Sequence, residues 1–196
     1  MVYCFVKINE KDDEMDKIMN RNNKTNDYRC NCNNSPPVNL LEIIEDRDLI
    51  HLVIEATTEV SAKGLVRRVN SIPDWVPHNM VLSLMTYAYA TCKYSSEELA
   101  ESVRKDPALR YLSSGIFPDV STFIKFRRAN AHTIVYALNN VLENVKGLCS
   151  NKAASIKTNS GISLTGIIKN RNCELAIDGE KRLGLAVMND CLERDV

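Results

Sequence analysis

One stretch limits the fold more than any other: residues 77–130, PHNMVLSLMTYAYATCKYSSEELAESVRKDPALRYLSSGIFPDVSTFIKFRRAN. It holds several short helical segments in succession, each with its own start signal. In NMVLSLMTYAYA, the residues Met80, Val81, Leu84, Met85, Ala88 and Tyr89 recur at three- and four-residue spacing. Apolar groups lie on nearly all sides, so this is read as the central, most buried helix. It ends near Thr91–Tyr94. Ser95-Ser96-Glu97-Glu98 then carries a capping-box pattern, with Ser95 placed to accept from the Glu98 amide. The next helix turns Leu99, Ala100 and Val103 inward and Glu101, Arg104 and Lys105 outward. Helix, short turn and helix give the geometry of a helix-turn-helix or αα-hairpin.

Asp106-Pro107 opens a third element, because Asp caps well and Pro suits the first helical position. Gly115 is its expected stop. Asp119 or Ser121 can cap a fourth and longest helix, expected from Val120 to Val145 with Gly147 beyond it. Its expected buried stripe is Phe123, Ile124, Ile134, Leu138, Val141, Leu142 and Val145, while Lys125, Arg128 and His132 share a different face.

Upstream, residues 1–37 are expected to form a loosely ordered arm, with at most a short helix around 11–20. Its acidic patch and Asn-rich run offer little to a core, and Pro36-Pro37 blocks helix continuation. From Val38 the pattern predicts a helical turn or two over Leu40–Ile44, a break at Glu45–Asp46, and a helix from Asp48 to about Ala56. His51 reads as a helix-face histidine. Residues 60–76 form a connector in which Arg67 and Arg68 are surface cations and Trp75 is expected to plug the connector onto the core. Downstream, 149–173 is loop-rich. Residues 174–194 form either one amphipathic helix, with Leu175, Leu183, Val187 and Cys191 inward, or a strand CELAID turning at Gly179; the helix is preferred.

The fold class expected is therefore all-α. It comprises a multi-helix domain over 38–148 with a helix-turn-helix-like core, a flexible arm over 1–37, a loop-rich linker over 149–173 and a C-terminal helix over 174–196.

Composition sets bounds on function. Lys plus Arg and Asp plus Glu stand at 25 each, so no global field draws the chain to nucleic acid or membrane, and any such case rests on local clustering. No run approaches the roughly 20 apolar residues of a membrane span, and the N-terminus lacks a signal-peptide layout, so no membrane partner and a cytoplasmic location are expected. Seven scattered cysteines read as free thiols; Cys30 and Cys32 lie too close together, with too few companions, for a structural zinc site. No nucleophile–base constellation, phosphate loop or metal cluster is evident, so no cofactor and no catalytic residue are assigned.

The central stretch resembles the N-terminal, InsH-type domain of insertion-sequence transposases that carry an RNase H-like catalytic core with a DDE triad. The matching phrases are Pro77 with LSLMTYAYA, Tyr94-Ser95-Ser96, RKDPALRYLSSG over 104–115, and Pro118-Asp119-Val120-Ser121-Thr122-Phe123 followed by Phe126-Arg127-Arg128. The segment LLEIIEDRDLIHLVIEA is similar to the family's upstream helix, so the resemblance spans about 38–146. At Cys92 the family commonly has Gly, which suggests a less tight turn here. The resemblance implies an all-helical DNA-binding domain without its catalytic partner. ELAIDGEK faintly resembles the family's first catalytic strand, with Asp178 as its carboxylate, but one carboxylate cannot hold two metals. Asp178 is read instead as a turn or helix-surface acid. The expected partner is double-stranded DNA, such as transposon ends, contacted through Lys125, Arg127 and Arg128, with Lys93, Arg104 and Lys105 adding charge. The alternative is a helical fragment that self-associates, inhibits a full-length transposase, or has no role.

Overall fold

The computed structural model describes residues 37–150, 156–157, 163–164 and 178–194. The arm over 1–36, with its short-helix expectation and the Cys30/Cys32 pair, lies outside the described residues. So do most of 151–177 and the CELA of the strand alternative.

After a 3₁₀ turn at Leu40–Glu42, six helices follow: α1 (Asp46–Ala62), α2 (His78–Ala90), α3 (Ser96–Lys105), α4 (Pro107–Ser113), α5 (Val120–Ser150) and α6 (Gly179–Arg194). The only strands among the described residues are Ile156–Lys157 and Ser163–Leu164, paired antiparallel. The chain is all-helical in class; Gly179–Arg194 is helical, and residues 173–177, on which the strand alternative turns, lie outside the described residues.

Helix α2 is the centre. Ten of its thirteen residues are buried, including Leu84, Met85, Ala88 and Tyr89. A helix apolar on all sides leaves no face for water, so other helices must surround it. Helices α1, α4 and α5 pack against it. Polar bonds fix the register: Tyr87 donates its hydroxyl to Asp46 at 2.6 Å, and the Thr57 and Ser83 hydroxyls pair at 2.9 Å. Burial and the neighbouring Asp46 carboxylate push the Tyr87 phenol well above its ordinary range. Asp48, on the first turn of α1, is also buried and leaves Oδ2 without a partner; desolvation pushes its carboxyl upward.

The caps follow the sequence closely. Ser95 Oγ accepts from the Glu97 and Glu98 amides, and Asp106 Oδ1 accepts from Ala108 and Leu109 behind Pro107. Asp119 accepts from the Thr122 amide at 2.7 Å and from the Thr122 and Ser121 hydroxyls, opening α5. Those bonds, Thr122's hydroxyl first, hold the Asp119 carboxyl below its usual range. The turn after α4 is left-handed at both Ser114 (φ 51°) and Gly115 (φ 80°). The turn after α2 is left-handed at Cys92 (φ 62°), the backbone that Gly would adopt, so it stays tight despite the side chain.

Four expectations need correction. Helix α1 starts two residues earlier and ends six later than expected, because Thr57 and Val60 still face the core. Helix α5 runs through Gly147 to Ser150. Trp75 is no plug: it is 65% exposed, and Ile72 and Val76 bury themselves in its place. Finally, α6 is rotated. Val187 and Cys191 face outward, Leu183 is half-buried, and the inward positions are Gly179, Arg182, Ala186 and Asp190. Gly179 marks the contact with α5, since a Cβ there would sit 2.5 Å from Asn139 Oδ1 and 3.2 Å from the Val135 carbonyl. Leu175 lies outside the described residues.

Candidate nucleic-acid interface

The basic cluster stands on the first half of α5. Neither Asp nor Glu occurs between Val120 and Leu142, whereas Lys125, Arg127, Arg128 and His132 all do. Lys125, Arg128 and His132 are spaced by three and four residues, which puts them on one face, and all three are exposed.

Arg127 parts from its neighbour. One residue is a 100° turn of the helix, and that turn carries Arg127 into the interior, where it is only 3% exposed. Its Nε donates to the Tyr89 hydroxyl at 2.6 Å, and one terminal nitrogen donates to the Ala186 carbonyl at 3.0 Å and to the Asp190 carboxylate at 2.5 Å. The other donates to Ser96 Oγ at 2.7 Å. The guanidinium also lies 5.7 Å from the Tyr89 ring centroid. The expectation that Arg127 contacts DNA is therefore corrected: its donors are engaged inside the protein. A guanidinium in the core persists only where such partners surround it. Burial drives the Tyr89 phenol upward, against the lowering influence of Arg127.

The remaining expected residues divide by position. Lys93 is half-buried and bonded at 2.5 Å to Asp106, the cap of α4, so it is committed to the fold. Lys105 pairs with Glu101 one turn before it on the outer face of α3, and that bond lowers the Glu101 carboxyl. Arg104 is exposed, its guanidinium 5.2 Å from the Phe117 ring centroid. With Glu97, Glu98 and Glu101 alongside, α3 is mixed in charge, with three acids to two bases. The α5 face is the more basic of the two, with Asp119 at the helix start as the acid near Lys125.

A second segment docks on another side of α5. Asn130 adopts φ −124° and ψ 26° inside α5 and bends the helix. Its amide clamps the connector, accepting from the Arg67 amide at 2.7 Å and donating to the Arg67 carbonyl at 3.1 Å. Thr133 adds a bond to the Leu65 carbonyl. The Arg67 backbone is thereby fixed against α5, its side chain exposed. Arg68, also exposed, pairs with Asp74 at 2.6 Å. An open cleft of about 450 Å³ lies between connector and α2, lined by Val66, Arg68, Asp74, Val76, Pro77, His78 and Asn79. His78 serves the fold there: its Nε2 accepts from the Val69 amide and its ring packs on Phe126.

Sequence reasoning missed Arg182 and Asp190. Arg182, 1% exposed, donates to the Tyr89 and Ala90 carbonyls at the end of α2, to the Val38 carbonyl at 2.6 Å, and to Cys92 Sγ at 3.6 Å. It closes the C-terminus of α2, whose last carbonyls have no partner within the helix. Asp190 accepts from the Ser96 amide and hydroxyl, each at 3.0 Å, as well as from Arg127. The only signal for either lay in the spacing 182, 186, 190, which is a helical stripe, though a polar one.

Asp178 accepts from the Lys181 amide at 2.9 Å, so it opens α6 as the turn acid it was read to be. Among the described residues no group of three or more His, Cys, Asp or Glu side chains could hold a metal ion, and no helix is long and apolar enough to cross a membrane. No protein-family model matches the chain, and no curated protein or solved structure matches it at a significant level.

Proposed function

We propose that this chain is a module that binds double-stranded DNA, of the kind that precedes the catalytic domain in insertion-sequence transposases, and that it has no catalytic activity of its own. The carrying observation is the exposed Lys125–Arg128–His132 face on the first half of α5, a stretch with no acid of its own between Val120 and Leu142. Duplex DNA presents closely spaced phosphates, and each one neutralised releases counterions and adds affinity. Lys125 and Arg128 make phosphate or guanine contacts, and Arg104 and Lys105 contribute at the edge through α3.

Fluorescence anisotropy of a labelled duplex across a salt series tests this. Wild type binds with log affinity falling as log salt rises. Lys125→Ala/Arg128→Ala flattens that slope by about 1.8, at roughly 0.9 per phosphate. Absence of binding at low salt rejects the reading. One observation favours the other class of function, a helical fragment that self-associates or engages a full-length transposase: Val187 and Met188 stand exposed on α6. Sedimentation would then show concentration-dependent dimers from a chain without salt-dependent affinity for DNA.

A further inference from the structure

Asp190 sits in a receptor that suits an oxyanion. The Ser96 amide at the first turn of α3, the Ser96 hydroxyl and the Arg127 guanidinium all donate to its carboxylate. A free helix-terminal amide, a hydroxyl and a forked guanidinium are the donors that bind phosphate in proteins. Here the anion comes from the chain itself, from a helix 94 residues beyond Ser96.

The helix that delivers it is held in an unusual way. Its inward stripe is Gly179, Arg182, Ala186 and Asp190; among its described side chains Ala186 is the one fully buried apolar group, with Leu183 packed partly buried against the core. Two of its larger apolar residues point away, Val187 being 48% and Met188 60% exposed. Buried polar bonds from Arg182 and Asp190 hold α6 beside the small apolar contact of Leu183 and Ala186, whereas apolar burial dominates in α2. Bonds to anions and carbonyls are exchangeable for bonds to other anions or to water, whereas apolar burial is not.

We infer that α6 is a displaceable strap whose Asp190 carboxylate occupies a phosphate site formed by Ser96 and Arg127, and that a phosphate of bound duplex DNA takes its place. This rests on the DNA-binding reading. It also accounts for a basic residue, Arg127, that stands in the basic cluster yet is closed to solvent. Displacement of α6 would open Arg127 to solvent about 100° round α5 from Arg128, adding a third cation on a neighbouring face of the helix.

The test uses the full chain and its Asp190→Asn variant, which keeps shape and loses the charge. Inorganic phosphate, compared with chloride at equal ionic strength, is expected to raise the melting temperature of Asp190→Asn saturably, to leave wild type nearly unchanged, and to have no effect on Arg127→Gln/Asp190→Asn. Duplex affinity of Asp190→Asn is expected to rise about tenfold, because an internal competitor is gone. Absence of saturable stabilisation overturns the site. Should Asp190→Asn fail to fold, wild-type hydrogen exchange decides: faster exchange of the amides over 179–191 on adding duplex DNA supports the strap, and unchanged exchange overturns it. Unchanged exchange in a chain that does bind duplex overturns displacement and leaves the DNA-binding reading standing. Phosphate stabilisation of Asp190→Asn without any duplex binding supports the anion site and rejects the DNA-binding reading alone.

Discussion

Helices α2 and α6 both pack against α5, and they are held to it by opposite means. Helix α2 buries Leu84, Met85, Ala88 and Tyr89, a surface whose removal from water drives association without regard to direction. Helix α6 buries Arg182 and Asp190, whose bonds are directional and stabilise only while every partner is in place. An apolar contact degrades by degrees, as atoms are trimmed. A buried ion pair fails abruptly, since removing one member leaves the other charged and desolvated. The two helices should therefore answer differently to the same kind of substitution.

The largest expected effect is at the ion pair. Arg127→Ala strands Asp190 among Ser96 and Tyr89, and is expected to lower the unfolding free energy by about 3–5 kcal/mol in urea titration. Replacing both partners with apolar residues, as Arg127→Met/Asp190→Leu, is expected to cost far less than the two single changes added together, because no lone charge remains. Simple additivity would break the contrast. In α2, Leu84→Ala is expected to cost about 2–5 kcal/mol, scaled by the cavity it leaves. Combined with Asp190→Asn it should be additive, unless the two helices share one cooperative contact with α5.

The same contrast explains what was legible in the sequence. Helix α2 could be read because apolar spacing and burial are two expressions of one fact, and the caps Ser95, Asp106 and Asp119 because their bonds are local. Helix α6 was placed as a helix but turned wrongly, since an apolar stripe was sought and the inward stripe is polar. Nothing near Arg127 distinguishes it from Arg128; their difference comes from Asp190, 63 residues away. Asn130 was silent for the same reason, its partner being the backbone of Arg67. Trp75 misled because an aromatic between prolines reads as an anchor, while Ile72 and Val76 were the better fit to the space.

Acid sharpens the comparison at a carboxylate that is exposed rather than buried. Asp119 is held below the ordinary 3.8 chiefly by the Thr122 hydroxyl, then by the Thr122 amide and Ser121. A depressed carboxyl contributes stability that is present above its unfolded value and disappears as pH falls through its folded one. Asp119→Ala is therefore expected to cost about 1 kcal/mol at neutral pH, as loss of a helix cap does. Its difference from wild type should shrink as pH falls below about 4, the range in which the unfolded carboxyl titrates. Helix α2 has no carboxylate in its own sequence, and so Leu84→Ala should keep its cost across the same range.

The smallest expected effect lies where the two helices meet. Cys92 ends the turn after α2 at φ 62°, and its sulfur contacts Arg182 of α6 and donates to the Pro37 carbonyl at 3.4 Å. Ala and Gly at this position both remove the sulfur, so their difference isolates the backbone. Left-handed backbone strains any residue that has a Cβ, and Cys92→Gly should exceed Cys92→Ala in stability by about 1 kcal/mol. The comparison of each with wild type then measures the sulfur. If α6 is held by Arg182 through the α2 carbonyls and Val38, loss of the thiol should leave hydrogen exchange of α6 unchanged in both variants. Faster exchange in both would mean that the Arg182–Cys92 contact carries part of the attachment, and the polar grip of α6 would then extend into the turn that ends the apolar helix.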